Sequence, residues 1–247
     1  MHLFVHMINK IKFKNIGYMP EKANKEPTYI ERWSKKAEFY SYRDYCLNSY
    51  YQDINDSLRL GLPVSNPNSA VIIKDMDNLF DTMPEQYCVK APELVFRGIQ
   101  VENLPQELLD IITLKNPANN TFTDKGFVSC SRDKRIAKEF ACSAGTHGIF
   151  LDIILPTGSK RIDSSSLPYS IKSLFSSEQE VTLPRNSQFR VDSYNPKTGR
   201  AKLTYLGQKL PLDPVSVMPK EHLHDELDIL AMLNKTKINN EEKNKKN

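Results

Sequence analysis

Ser176-Ser177-Glu178-Gln179-Glu180-Val181-Thr182-Leu183-Pro184-Arg185 is the stretch on which the reading of this chain turns. Val181, Thr182 and Leu183 favour a strand, Pro184 ends it, and two carboxylates stand two residues apart at its start. Alternation along a strand would put Glu178 and Glu180 on one face, about 6.6 Å apart at a rise of about 3.3 Å per residue. Like charges that close repel, so the pair costs stability unless water or a cationic ligand shares the site. Taken alone, Glu-x-Glu is also the ordinary pattern of a solvated strand face.

Two earlier segments carry residues of the same kind. In Gly126-Phe127-Val128-Ser129-Cys130-Ser131 the two serines would share one strand face, with Phe127, Val128 and Cys130 supplying packing. No Gly-x-Ser-x-Gly elbow surrounds them, which argues against a hydrolase nucleophile. Glu93-Leu94-Val95-Phe96-Arg97-Gly98 places an arginine near the end of an apolar strand. It either snorkels to the surface or aims its fork of donors at a phosphate, with Gly98 allowing close backbone approach to a ligand.

The wider chain is ordinary for a folded protein. Its 247 residues, 39% hydrophobic and 26% charged, suffice for one large domain or two small ones. No run reaches the roughly 18 apolar residues of a membrane span. The apolar opening Met1–Ile8 lacks the cationic start and small-residue cleavage site of a Sec signal. Cys46, Cys88, Cys130 and Cys142 have no paired spacing, which predicts free thiols. Of the net charge of +4, the segment 235–247 with five Lys and two Glu supplies most. The rest offers no basic stripe of the sort that nucleic acid requires.

Texture divides the chain into a lead segment (1–27), a helical part (28–90), a β core (91–210), a C-terminal helix (211–234, centred on Glu221 to Leu233) and a disordered Lys/Asn/Glu tail (235–247). Leu47, Tyr51, Ile54 and Leu58 form one helical stripe; Ser69 could cap a second helix carrying Ile72, Met76, Leu79 and Met83. Six tyrosines between Tyr29 and Tyr51 predict rings packed in a helical layer with hydroxyls reaching water. Strands are expected at Leu94–Gly98, Gly126–Ser131, Gly148–Leu155, Glu180–Leu183, Gln188–Tyr194 and Ala201–Leu206, and short helices at Gln106–Thr113 and Asp133–Ala141. Helices first and mostly strands afterwards argue for α+β with mixed or antiparallel sheets.

Taken in order, the three motifs resemble the arginine–serine–glutamate class of mono-ADP-ribosyltransferases, which includes bacterial toxins and effectors. Phe96-Arg97-Gly98 is similar to that family's aromatic-Arg-Gly. Phe127-Val128-Ser129-Cys130-Ser131 is similar to its Ser-Thr-Ser, with Cys130 in place of the central Thr. Glu178 to Arg185, continuing through Phe189 and Val191, resembles its third motif. Phe175 matches an aromatic of the substrate-facing turn, and Ile54-Asn55 with Leu58-Arg59 resembles the helical stretch upstream. The similarity spans about residues 40 to 206.

The resemblance implies a mixed β-sandwich core behind an N-terminal helical layer, and NAD as cosubstrate. Glu180 would stabilise the developing ribosyl cation. Ser129 would steady Glu180 and the ribose, Arg97 would hold the diphosphate and Gly98 would orient the nicotinamide amide. Ser131 and Phe140 join the NAD-contacting set, although Phe140, at helical spacing from Ile136, reads better as a core ring. Glu178 would select and activate arginine on a target protein, and Phe175 would help recognise that protein. No metal, nucleic acid or membrane is implied, and a monomer is expected. A further implication is an effector without a Sec signal acting in a host cytosol, or alternatively an enzyme of the producing cell's cytoplasm. An NAD glycohydrolase with the same site, and a non-catalytic module that kept the fold, are the competing readings. His222 and His224, two apart on an expected helix, diverge, unlike an i, i+4 zinc pair. Thr157-Gly158-Ser159-Lys160 lacks the opening of a P-loop and reads as a turn.

Overall fold

The computed structural model describes residues 36–47, 50–101, 104–142, 148–167 and 178–218. Three helices come first: α1 (Glu38–Leu47), α2 (Tyr50–Leu60) and α3 (Pro67–Asp81). Asn66, not Ser69, caps α3. Its side chain accepts from the Asn68 N–H, and Pro67 takes the first-turn position where a missing N–H costs nothing. Ser69 lies one turn inside, buried, with its hydroxyl on Asp53.

The expected stripe from Leu47 to Leu58 fails as a single face. It straddles the end of α1 and the start of α2, and Tyr51 is 42% exposed while Ile54 is fully buried. Ile72, Met76 and Leu79 do line one buried face of α3. They pack with Phe39, Tyr42, Tyr45, Ile54, Phe80 and Phe127 into a helical core. The Phe127 ring meets Tyr45 edge-on at 5.7 Å and stacks on Phe80 at 6.3 Å, fastening this core to the strand that follows Phe127.

Eight strands follow, with two short helices among them. They are β1 (Glu93–Gln100), β2 (Thr121–Asp124), β3 (Val128–Ser131), β4 (Gly148–Leu155), β5 (Ile162–Asp163), β6 (Glu180–Leu183), β7 (Ser187–Asn195) and β8 (Arg200–Gln208); α4 (Gln106–Ile112) and α5 (Lys134–Ala141) intervene. The sheet runs β2-β7-β8-β4-β1-β3-β6-β5, antiparallel throughout except for the β4–β8 pair. The fold is therefore α+β with a mixed sheet, as the sequence texture implied. β7 and β8 close on the Asn195–Gly199 turn, where Gly199 takes φ 61, and Thr157-Gly158-Ser159 is a turn as well, with Gly158 at φ 85.

The sequence reading misses two strands. β5 is two residues long, too short for any period. β2 carries an alternating Thr-Phe-Thr that could have been recognised, and Phe122 stacks on Phe189 of β7 at 5.3 Å. The four cysteines are free, as spacing predicted. The expected C-terminal helix and tail, the lead segment, and His222 and His224 lie outside the described residues.

One irregularity positions everything that follows. β1 pairs with β4 along all eight residues, yet it meets β3 at one pair alone, Phe96↔Ser131. The sheet is thus two wings, β2-β7-β8-β4-β1 and β3-β6-β5, joined at a single point. α5 covers β1 through glycine. A Cβ on Gly98 would land on the Ala137 carbonyl oxygen, and one on Gly148 on the Ala141 carbonyl oxygen. A side chain at position 98 is therefore excluded by close helix packing. Gly98→Ala should lower stability by about 2 kcal/mol, measured by urea denaturation, since neither backbone can give way cheaply. An unchanged midpoint would show that α5 rides loosely on β1.

Candidate active site

Arg97, Ser129 and Glu180 sit on three different strands and meet where the two wings join. In β1, the Arg97 guanidinium donates through Nη1 to the Ser129 carbonyl at 2.6 Å, while its Nε is buried with no hydrogen-bond partner. In β3 and β6, Ser129 faces Thr182 and Ser131 faces Glu180 across the antiparallel pair. The Ser129 hydroxyl lies beside the Glu180 carboxylate and favours its charged form. Thr182 Oγ1 donates to Glu180 Oε1 at 3.3 Å. Glu180 is 8% exposed. Burial pushes its carboxyl above the ordinary range, opposed by the donors on Ser129, Cys46 and Thr182 and by the nearby Arg97.

Glu178 does not share a strand face with Glu180. β6 begins at Glu180; Glu178 and Gln179 form a turn, and Gln179 adopts φ 47. A left-handed residue breaks the two-residue alternation, so the strand-face geometry expected from sequence does not hold. The turn is pinned from behind by β3. Ser131 Oγ donates to the Glu178 carbonyl at 2.6 Å, and the Arg132 N–H donates to the Gln179 carbonyl at 3.1 Å. The same Ser131 oxygen accepts the Asp133 N–H at 2.9 Å, just before α5, so its hydroxyl is engaged on both sides by protein. The two carboxyls still feel one another. Glu178 is pushed up to about 7, first by burial and then by the charge of Glu180.

The remaining expectations fall unevenly. Phe140 is 45% exposed on α5, which overturns the core reading: Ala137 and Ala141, not Phe140, face the sheet. Phe175 lies outside the described residues. Tyr42 and Tyr45 are buried with their hydroxyls bonded inside the protein, not reaching water as expected. Tyr42 Oη lies 3.1 Å from Thr182 Oγ1, and Tyr45 Oη accepts from Asn55 Nδ2 at 2.8 Å. Asn55 spends its other end on the Phe127 N–H at 2.9 Å, so one amide ties α1, α2 and the approach to β3. Arg59 adds a fork onto Asp124, whose carboxylate also takes the Gly126 N–H.

Sequence reasoning missed Tyr42, Cys46 and Thr182 as residues around the carboxylate. The one available signal was Thr182, a hydroxyl between Val181 and Leu183 in a strand buried at every position. Behind the site, Arg132 and Arg161 each bridge Glu93 and Asp163, fixing the β3 end to β1 and β5. Burial opposes ionisation of Asp163, but the Arg132 fork and the Ser165 donors hold it down at about 2. Among the described residues no group of His, Cys, Asp and Glu could hold a metal ion.

A family model described as ADP-ribosyltransferase exoenzyme matches residues 9–209, most of the chain. The chain belongs to the ADP-ribosyltransferase exoenzyme family. No curated protein sequence matches it. Members of known structure share the fold. Exoenzyme S from Pseudomonas aeruginosa, solved in complex with human 14-3-3 protein beta and bound to carba-NAD, superposes with a TM-score of 0.50 at 18% identity, over 78% of this chain and 82% of that one. Plx2a, an ADP-ribosyltransferase toxin from Paenibacillus larvae, gives 0.51 at 16% identity over 71% of this chain and 90% of its own. The enzymatic component C2-I of the Clostridium botulinum C2 toxin gives 0.50 at 17% identity over 70% of this chain but 44% of that longer one. At these identities the likeness is one of fold.

Within this exoenzyme fold, Glu178 has a measurable electrostatic signature. Its carboxyl ordinarily titrates near 4.5 and here near 7, so folding takes up a proton between those values. Its contribution to stability is complete below about 4.5 and lost as pH rises through about 7. Glu178→Gln should therefore gain thermal stability over wild type at pH 8, and the gain should vanish at pH 4. A difference in Tm that is flat across that range would show that Glu178 is solvated.

Proposed function

We propose that this chain transfers ADP-ribose from NAD to arginine side chains of a target protein, releasing nicotinamide. The observation that carries the reading is that Arg97, Ser129 and Glu180, drawn from three strands, meet in one cluster, with Arg97 on the Ser129 carbonyl, Ser129 beside Glu180, and Glu178 on the adjoining turn. The unpartnered Nε of Arg97 fits an oxyanion, because a buried guanidinium donor without an acceptor is costly and a diphosphate supplies one. Arg97 would hold the diphosphate, with Gly98 and Phe140 beside the nicotinamide. Ser131, its hydroxyl already engaged on both sides, would act by fixing the Glu178 turn.

The chemistry follows from charge. As the bond between ribose C1′ and the pyridinium nitrogen breaks, its electron pair leaves with neutral nicotinamide and positive charge appears on the sugar. A carboxylate held beside C1′ lowers that barrier, as in glycosidases. Glu180, fixed by Ser129 and bonded to the 2′-hydroxyl, takes this role. An arginine nitrogen of the target then forms the new bond to C1′. A protonated guanidinium is a poor nucleophile, so a base must accept its proton as the bond forms. Glu178 fits, because a carboxyl raised to about 7 is a far better base than an ordinary one. Phe175 would contact the target protein.

The enzyme would work as a monomer without a metal. The free thiols suit a reducing compartment, and the shared fold with bacterial toxins supports delivery into a host cytosol.

The test is incubation of the purified protein with labelled NAD and a cell lysate, with mass spectrometry of the modified side chains. Glu180→Gln should reduce both nicotinamide release and transfer by about a hundredfold or more. Glu178→Gln should abolish arginine modification yet keep NAD hydrolysis. ADP-ribose on residues other than arginine would overturn the acceptor assignment. Nicotinamide release without any protein labelling would make the chain an NAD glycohydrolase.

A further inference from the structure

Helix α1 presents three polar side chains to the site from one face: Tyr42, Tyr45 and Cys46, at i, i+3 and i+4. Two of them stand over register partners. Tyr45 lies beside Ser129, and Tyr42 Oη lies 3.1 Å from Thr182 Oγ1; Ser129 and Thr182 face one another across β3 and β6. Thr182 Oγ1 in turn donates to Glu180 Oε1, and the Ser129 hydroxyl lies beside the same carboxylate. The carboxylate is therefore approached from α1 along two arms, one through Ser129 and one through Thr182. The Cys46 thiol lies beside the same carboxylate.

The Ser129 arm belongs to the motif already described; the Thr182 arm does not. Tyr42 and Thr182 are both 0% exposed. Burying a phenol and an aliphatic hydroxyl in an otherwise apolar layer costs stability unless each finds a partner, and an apolar pair would fill the space without that cost. The direction of the chain is set by its end. A carboxylate only accepts, so Thr182 donates its one proton to Glu180 Oε1 and must accept from Tyr42.

We propose that Tyr42 and Thr182 form a second positioning relay, which holds the Glu180 carboxylate ionised and aimed for catalysis. The inference rests on the reading of Glu180 as the catalytic carboxylate. Neither residue touches substrate in this scheme. Tyr42 orders Thr182, Thr182 orders Glu180, and α1 thereby couples the helical layer to the reacting group. The relay favours the charged form because both of its bonds point at the carboxylate.

Tyr42→Phe and Thr182→Val each remove a link at nearly constant volume. Each should lower kcat for NAD cleavage about tenfold, with KM for NAD changed less than about twofold, as expected for loss of one charge-assisted hydrogen bond to a group acting in the transition state. The double variant should be no slower than the slower single one, because the two act in series. The acid limb of the kcat profile should move up by about one pH unit in both variants, since Glu180 then protonates more easily. Thr182→Ser, which keeps the hydroxyl, should restore wild-type rate and profile; a merely structural role would leave the acid limb in place.

Carboxyl-carbon NMR titration of Glu180 in the NAD-free protein keeps the two readings separate. If wild type cleaves NAD, Glu180→Gln does not, and both relay variants match wild type in rate, profile and titration, the relay is overturned and the activity stands. If wild type leaves NAD intact, the activity is overturned and the titration judges the relay alone. It moves in both variants if the chain bears on Glu180, and in neither if it does not.

Discussion

A carboxylate taken out of water is the constraint around which this protein is arranged. Glu180 is desolvated, and ionising it inside the protein is costly unless charge and hydrogen bonds replace the lost water. The replacement comes from donors rather than from a direct salt bridge. Thr182 donates to the carboxylate directly, the Ser129 hydroxyl and the Cys46 thiol beside it favour its charged form, and Arg97 acts at longer range by its charge. Keeping the arginine off the carboxylate suits the proposed chemistry. A bidentate pair would neutralise the negative charge that a developing sugar cation would need, whereas hydroxyl donors would orient it and leave it available.

The single-pair junction between β1 and β3 follows from the same need. Where strands pair fully, their backbone groups are consumed by each other and side chains pack at sheet spacing. Here β1 leaves β3 after Phe96↔Ser131, and the Arg97 guanidinium takes up a carbonyl of β3 that the sheet does not. Such a junction needs outside support, and two polar clamps provide it. Asn55 ties Tyr45 to the Phe127 backbone on one side, and the Arg132–Glu93–Asp163–Arg161 ring locks the far end of β3 to β1 and β5. These clamps consist of charged and amide groups with multiple partners, which specify geometry more sharply than apolar contact does.

What the sequence disclosed and what it hid divide along physical lines. Strands with apolar runs and turn residues at their ends were legible to within one or two residues; Gly148–Leu155 and Glu180–Leu183 were legible in full. The motif order gave the family without any structure. Hidden were the properties that depend on distant partners. A tyrosine looks alike whether its hydroxyl meets water or, as for Tyr42, a threonine 140 positions away. At Gly98 the sequence showed that something comes close but not which backbone; α5 does. Phe140 fell on the wrong side of its helix because the small Ala137 and Ala141 permit the closest approach to the sheet, so they and not the large ring turn inward.

The left-handed Gln179 joins these themes. Continuing β6 by one more pleat would have carried Glu178 onto the same wall as Glu180, at a distance set rigidly by the strand. Turning the chain at Gln179 instead gives Glu178 its own support, from Ser131 Oγ on its carbonyl, while Glu180 keeps its support from α1, β3 and Thr182. Two acidic groups with separate scaffolds can be held at different degrees of exposure, one 8% exposed and the other half-buried. In the proposed mechanism the two carboxylates have unlike tasks, one charged beside a cation and one trading a proton with an acceptor, and separate mounting would let their proton affinities be set independently. The strain of one non-glycine residue at positive φ is of order 1 kcal/mol, small against the cost of forcing both charges onto one buried strand face.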